Sequence, residues 1–265
     1  MRFAARTHPG RRGGQNEDSI GWNEASGLFF VADGMGGHAS GDVASRVVKE
    51  TLLGNALNLP LRAAVRRAHD EVAQAAADNT AHANMGSTVV AARMSDRHAE
   101  VVWVGDSRAY LWRSDALRQL TRDHSYLEVL REQENLSDTQ LRGHPNKNLV
   151  TQTLGIGTPE PSVISEPLRK GDWMLLCSDG LNDELEDAEI AQILRTHGAP
   201  DAAADALIAA ALARGGRDNV SAVVVEYDGA DGVSLMQNKT LWLAVIGGAC
   251  AAILLAVLWY WLYGR

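Results

Sequence analysis

The chain has 265 residues, 25 Lys and Arg against 33 Asp and Glu, and a formal net charge of -8. That length, with 46% apolar residues, accommodates one sizeable globular domain plus an appendage. The acidic balance and scattered basic residues exclude a nucleic-acid binder. Two cysteines, Cys177 and Cys250, are too few for a disulfide framework or a structural zinc site, which points to a reducing compartment.

The first 14 residues are basic and polar, without the apolar stretch of a secretory signal, so the chain is expected to stay where it is made. Residues 19–22 and 28–33 read as two strands joined by the turn-forming run Asn23-Glu24-Ala25-Ser26-Gly27. This hairpin carries Asn16-Glu17-Asp18 at one end and Asp33 at the other. From 40 to 53 the period changes to helical, with Val43, Val47, Val48 and Leu52 on one face and Ser40 expected as the N-cap. An Ala-rich second helix is predicted over 61–78, with Pro60 at its start.

Strands are predicted at 88–93, 100–104, 109–113 and 117–120, connected as an antiparallel meander. Residues 123–154 are polar and helical in patches, with a capping-box pattern at 137–140, and read as a helix followed by a mobile excursion. A buried strand over 173–177 ends in Ser178-Asp179-Gly180. Two Ala-rich helices, 187–197 and 201–214, and a last strand, 220–227, complete the domain.

Residues 241–263 carry no charge and, at ~1.5 Å per residue, suffice to cross a ~30 Å hydrocarbon core. Trp242 stands at one end and Trp259, Tyr260, Trp261 and Tyr263 at the other, where interfacial aromatic belts lie. The expected organisation is therefore a catalytic domain 1–228, a linker 229–240 and a single-pass transmembrane helix 241–263. Lys239 and Arg265 flank the span almost symmetrically, so orientation follows from the unpaired Cys177 and the absent export signal: domain in the cytosol, anchor in the inner (cytoplasmic) membrane. Gly247-Gly248 with Ala251 and Ala252 could pack two such helices together or face lipid.

Asp33, Asp106, Asp179 and Asp218 each border an apolar strand-like run, and Asp18 sits beside the first. Hard oxygen donors with almost no Cys and no paired His select Mg²⁺ or Mn²⁺. Several carboxylates in one cleft repel unless cations lie between them, so two or more ions are expected. Two ions ~4 Å apart can share and activate a water for in-line displacement at phosphorus, which makes phosphoester hydrolysis the expected chemistry. A nucleotide-cradling role for the glycines after Asp33 lacks the Gly-Lys-Ser/Thr ending that a phosphate loop requires.

The series Asn16-Glu17-Asp18-Ser19, Val31-Ala32-Asp33-Gly34-Met35-Gly36-Gly37-His38, Gly86-Ser87-Thr88, Gly105-Asp106-Ser107-Arg108, Asp123-His124-Ser125, Ser178-Asp179-Gly180-Leu181 and Arg217-Asp218-Asn219-Val220 resembles the bacterial branch of the protein phosphatase 2C-like, metal-dependent serine/threonine phosphatases. The resemblance covers about residues 7–227. It implies an α+β fold, an αββα sandwich of two antiparallel sheets flanked by helices, with metals in a cleft at one end. By matched position, Asp33 would bridge two Mn²⁺ or Mg²⁺ ions, the Gly34 carbonyl would bind the first, and Asp179 and Asp218 the second. Asp33 and Asp218 are thus the expected catalytic carboxylates. Asp18 would join directly or through water and Glu17 through water, while Asp106 with Asp179 would match a third ion site. Residues 126–148 would match the flap beside the cleft.

The chain departs from the family pattern at Gly13, where a phosphate-binding arginine is usual. A one-residue slip would let Arg12 serve, with the bidentate geometry suited to phosphate. Met35 stands where eukaryotic relatives carry a proton-donating histidine, so another group must supply that proton. His38 is expected to be structural, and His124 to orient a turn.

The expected partners are phosphorylated proteins, an antagonistic serine/threonine kinase and, through the C-terminal helix, a membrane. The alternative is a pseudophosphatase that binds phosphoproteins with little turnover.

Overall fold

Leu28–Met35 is buried almost end to end because both faces of its sheet are covered. Phe29 and Val31 point to one side, and Leu28, Phe30 and Ala32 to the other. Coverage on both faces removes the apolar–polar alternation of a half-exposed strand and leaves a continuous apolar run. The computed structural model describes residues 1–36, 40–95, 97–134 and 149–229.

Eleven strands are described: β1 (Arg2–His8), β2 (Asp18–Asn23), β3 (Leu28–Met35), β4 (Gly86–Ser87), β5 (Val89–Ser95), β6 (His98–Val104), β7 (Arg108–Arg113), β8 (Ala116–Gln119), β9 (Ser162–Pro167), β10 (Trp173–Cys177) and β11 (Val220–Glu226). One antiparallel sheet has the order β1-β11-β10-β7-β8 and the other β2-β3-β5-β6-β9, with β4 paired to the end of β3. The helices are α1 (Gly41–Gly54), α2 (Leu61–Asp78), α3 (Tyr126–Glu134), α4 (Asp179–Asn182), α5 (Asp187–Thr196) and α6 (Pro200–Arg214).

Phe29, Val31, Leu111, Met174, Leu176, Val223 and Val225 fill the layer between the sheets. Val48, Leu52, Val65 and Val72 of α1 and α2 cover Leu28, Phe30 and Val102 on one outer face. On the other, Leu181, Ile190, Leu194 and Leu207 of α4–α6 cover Tyr110, Leu175 and Val224. The layers are therefore helix, sheet, sheet, helix, within a unit spanning Met1–Gly229.

The expected meander does not form. β5 pairs with β6 and β7 with β8, but β6 pairs onward with β9 while β7 pairs with β10 in the other sheet. The chain changes sheet at residues 105–107, where Gly105 adopts φ +103, a conformation that favours glycine. Apolar periodicity marks a strand but not the sheet that receives it.

β1 and β9 were not anticipated, and both are sheet-edge strands rich in polar residues. Only Ala4 of β1 is buried, and β9 alternates in exposure along Ser162–Pro167. Their main-chain pairing to β11 and β6 defines them where side-chain pattern does not.

Ser40 does not cap α1. Its side chain makes no cap hydrogen bond among the described residues, and its Oγ lies 3.0 Å from His82 Nδ1. The Glu17 carboxylate instead accepts from the Gly41 N–H, placing a negative group at the helix N-terminus where the exposed N–H groups favour it.

The expected span 241–263, linker residues 230–240, His38 and the capping pattern at 137–140 lie outside the described residues. Among the described residues, no helix is long and apolar enough to cross a membrane.

Candidate active site

The site is built at the ends of five strands. Asp18 opens β2 and lies in register with Asp33 near the end of β3. The Asp33 carbonyl accepts from Thr88 N–H at 2.8 Å and from Ser87 Oγ at 3.0 Å, so β4 and its neighbour fix the backbone beneath the carboxylate. Asp106 sits in the turn between the sheets, braced by a 2.7 Å contact between the Thr88 and Ser107 hydroxyls. Asp179 follows β10 at the start of α4, and Asp218 precedes β11.

Two glycines allow these loops to approach. A Cβ on Gly34 would stand 1.9 Å from the Gly41 carbonyl oxygen, and one on Gly180 would stand 2.0 Å from that of Asn219.

Sequence reasoning missed the polar network beneath the acids. Asp18 Oδ2 accepts from Ser178 Oγ at 2.8 Å and Ser221 Oγ at 2.6 Å. The Ser221 hydroxyl also lies 2.8 Å from Thr7 Oγ1. Asn219 accepts from Glu17 N–H at 2.7 Å and donates to the Pro9 carbonyl at 3.1 Å, tying three loops together. These partners lie 160–214 residues apart in sequence. Only the Ser178-Asp179 and Asp218-Asn219 neighbourhoods hint at them.

The carboxylates act on one another. Burial first, then the charges of Asp18, Asp179, Asp106 and Asp218, push Asp33 well above the usual carboxylate range. Burial, then Asp106 and Asp218, does the same to Asp179. Burial raises Asp18 to about 6 against the opposing Ser221 and Ser178 hydrogen bonds. Burial and the Asp123 charge raise Asp106 to about 6 against the opposing effect of Arg108. Glu17 is also raised, chiefly by burial, with its Gly41 hydrogen bond opposing.

Asp18 Oδ1 and Asp179 Oδ1 are buried with no hydrogen-bond partner among the described residues. An unpaired buried carboxylate oxygen is costly, and a divalent cation relieves both that cost and the mutual repulsion. Among the described residues, no three such groups close into a preformed cage for one ion. The acids surround a basin, and the all-oxygen donor set fits Mg²⁺ or Mn²⁺.

A pH dependence follows for the metal-free protein. The folded state holds the Asp18 and Asp106 protons up to about pH 6, whereas an unfolded aspartate releases its proton near pH ~3.9. The unfolded state thus binds fewer protons between these values, and stability falls as pH rises through that window. Melting curves of chelated protein should show a lower Tm at pH 7.5 than at pH 5.5, with Mn²⁺ raising Tm more at the higher pH. An equal Mn²⁺ response at both values would refute the linkage.

Of the residues anticipated from sequence, the structure brings Glu17, Asp18, Asp33, Gly34, Asp106, Asp179 and Asp218 to this end of the sandwich. Arg12 is not held against them. It is exposed and makes no hydrogen bond or ion pair with another described residue, although the neighbouring Arg11 N–H donates to Gly216 O at 2.7 Å, beside the Asp218 loop. Gly13 has φ +74, a conformation in which an arginine would be strained. Met35 is 40% exposed at the end of β3.

A cleft of about 830 Å³ opens beside Asp106 and Asp179, lined also by Arg108, Glu128, Asp183 and Asp187.

The protein phosphatase 2C family model matches residues 7–214. The Listeria monocytogenes serine/threonine phosphatase stp is 36% identical over 243 residues, covering 86% of this chain and 96% of that protein. The Mycobacterium tuberculosis serine/threonine protein phosphatase PstP is 36% identical over 240 residues, or 86% of this chain and 46% of PstP. A crystal structure of the PstP catalytic domain with two manganese ions superposes with a TM-score of 0.77 at 34% identity, covering 85% of this chain and 97% of that one. Family match, shared sandwich and basin of carboxylates agree: this chain belongs to the bacterial branch of the protein phosphatase 2C family of metal-dependent serine/threonine phosphatases.

Proposed function

We propose that this chain hydrolyses phosphoserine and phosphothreonine in proteins at the basin around Asp33, in opposition to a serine/threonine kinase. The observation that carries the reading is the pair of buried oxygens without a partner among the described residues, Asp18 Oδ1 and Asp179 Oδ1, beside an Asp33 pushed up by the charges of Asp18, Asp179, Asp106 and Asp218. Asp33, the Gly34 carbonyl, Asp179 and Asp218 would hold two Mn²⁺ or Mg²⁺ ions, with Asp18 joining them and Asp106 with Asp179 serving a third. Bound there, the ions supply Lewis acidity and lower the pKa of a water.

Hydrolysis breaks the phosphorus–oxygen bond to the seryl or threonyl side chain, adds the water oxygen to phosphorus and returns a proton to the leaving oxygen. The chain's own part is to place its carboxylates before substrate arrives. The Ser178 and Ser221 hydroxyls orient Asp18, and the Asn219 ties hold the Glu17 and Asp218 loops together. Arg12, with no partner among the described residues, is a guanidinium available to grip phosphate oxygens. The cleft between α3 and α5 gives the peptide flanking the phosphorylated residue a place to lie.

The catalytic domain extends over 1–228. The uncharged, aromatic-flanked stretch 241–263 supports a membrane anchor beyond the linker 229–240. The buried free Cys177 supports a cytosolic domain.

The full-length protein in detergent should release phosphate from a phosphothreonine peptide with Mn²⁺, stop on chelation and recover on Mn²⁺ addition. Arg12→Ala should raise KM for the peptide by about tenfold, the value of one charge-assisted contact, with a smaller change in kcat. No phosphate release above the chelated control would replace this reading with that of a phosphoprotein-binding module. The glycine at position 13 would favour that outcome.

A further inference from the structure

The turn at 122–125 is fastened to the turn at 105–108 more heavily than connecting loops require. His124 donates its backbone N–H to Gly105 O at 2.9 Å, and its Nδ1 accepts from Gly105 N–H at 3.2 Å. One residue thus satisfies both main-chain groups of the glycine that immediately precedes Asp106. An Nδ1 that accepts leaves the ring proton on Nε2, which lies 3.0 Å from Ser162 Oγ on β9 and donates to it. The ring stacks on Trp103 at 6.1 Å between centroids, and Trp103 Nε1–H donates to the Arg122 carbonyl at 2.8 Å. Next door, the Asp123 carboxylate receives Arg108 Nε and Nη2 in a fork at 2.7–3.0 Å.

The same turn gathers both ends of the stretch that begins with α3. Tyr126 N–H donates to Leu149 O at 2.8 Å, and Thr151 N–H donates to His124 O at 2.7 Å. Ser125 and Val150 form an isolated bridge between these hydrogen bonds. His124 therefore joins the main chain at Thr151 directly to the Gly105–Asp106 turn.

Other histidines at this end make one comparable bond, His8 Nδ1 from Gly10 N–H and His69 Nδ1 from Gly155 N–H, both at 3.0 Å. The His124 arrangement differs in using the main chain and both ring nitrogens.

We infer that His124 is a positioning residue for the phosphatase reaction: its double clip on Gly105 sets the direction of the Asp106 carboxylate and couples that direction to the segment beside the cleft. The inference rests on the proposed service of Asp106 to the basin. Groups that orient a ligand from behind commonly change affinity or activity 10–100-fold when removed.

Three substitutions in the full-length protein separate the contacts. His124→Asn keeps an acceptor at the Nδ1 position and gives up Ser162. His124→Gln reaches toward Ser162 and gives up the Gly105 N–H. Of the side-chain contacts, His124→Phe keeps only the stack on Trp103, and all three variants keep the main-chain bonds to Gly105 and Thr151.

With p-nitrophenyl phosphate and Mn²⁺, Gln and Phe should lower kcat by about tenfold or more, while Asn recovers it to within about threefold of wild type. Without metal or substrate, Gln and Phe should accelerate amide hydrogen exchange over residues 104–107 about tenfold, the consequence of losing one hydrogen bond. Asn should leave that exchange near wild type.

An Asn variant as impaired as Phe, or kcat losses that simply track Tm across the three variants, would overturn the inference. So would unchanged exchange at 104–107 in Gln and Phe. The exchange measurement needs no turnover, so a wild type that fails to hydrolyse phosphate refutes the proposed function and leaves the His124 clip to be decided by exchange.

Discussion

Replacing Asp33 by asparagine should leave a folded protein that no longer turns over. The amide has nearly the same shape but cannot offer two anionic oxygens to the proposed pair of cations. It also removes charge from the centre of a group whose other members are Asp18, Asp179, Asp106 and Asp218. Loss of a single preorganised electrostatic group costs about 10²–10³-fold, and the central carboxylate is expected to reach or exceed the upper figure in kcat. Stability should move the opposite way. Burial and like charge disfavour ionised Asp33, so neutralising it relieves the metal-free fold. For a unit of this size, each kcal/mol relieved raises Tm by about 2–4 °C. Melting curves in chelator should place Asp33→Asn above wild type, and Mn²⁺ should lift wild type far more than the variant. Equal rates for the two proteins would remove Asp33 from the chemistry.

Gly34→Ala should be severe for a steric reason. The added Cβ would meet the Gly41 carbonyl oxygen at 1.9 Å and the Glu17 carbonyl oxygen at 2.8 Å. Both are main-chain atoms and cannot rotate away, so the end of β3 must separate from the N-terminus of α1. Overpacking of this kind costs about 1–3 kcal/mol. It also disturbs the hydrogen bond from Gly34 N–H to Glu17 O and the Glu17 carboxylate that caps α1. A displacement of about 1 Å at a reacting centre can cost 10²-fold in rate, so activity should fall further than stability. Denaturant titration and kcat measured on the same preparation check this. Wild-type values for both would mean that the approach of β3 to α1 relaxes without consequence.

The strands that deliver Asp33, Asp179 and Asp218 were legible because β3, β10 and β11 are apolar on both faces and border an acid, which follows the apolar run in β3 and β10 and precedes it in β11. The glycines after Asp33 and Asp179 mark two places where another backbone comes close. Helix α2 was equally plain, running over the expected Leu61–Asp78. The crossing at Gly105 was not legible, since a strand's periodicity is the same whichever sheet accepts it. Nor was the support of Asp18, which depends on Ser178, Ser221 and Thr7 meeting from distant parts of the chain. Ser40 had the right residue type for a helix cap, but Glu17 reached the α1 N-terminus instead. Family resemblance supplied the sandwich order that neither composition nor periodicity contains.

The first and last strands run side by side, Arg2 opposite Glu226 at one end and His8 opposite Val220 at the other. His8 and Val220 lead into the loops that hold Asp218, where a Cβ on Gly10 would strike the Asp218 carbonyl. At the opposite pole, the Met1 amino group pairs with Asp228 at 2.7 Å. Seven paired residues at about 3.3 Å each set roughly 20 Å between these poles. The main chain at Asp228 therefore stands at the pole of this sheet opposite the one where His8 and Val220 lead to Asp218. Pairing the first strand with the last thus fixes the Asp218 loop from both ends of the domain's sequence, so a change in the register of β1 on β11 would shift the acid itself.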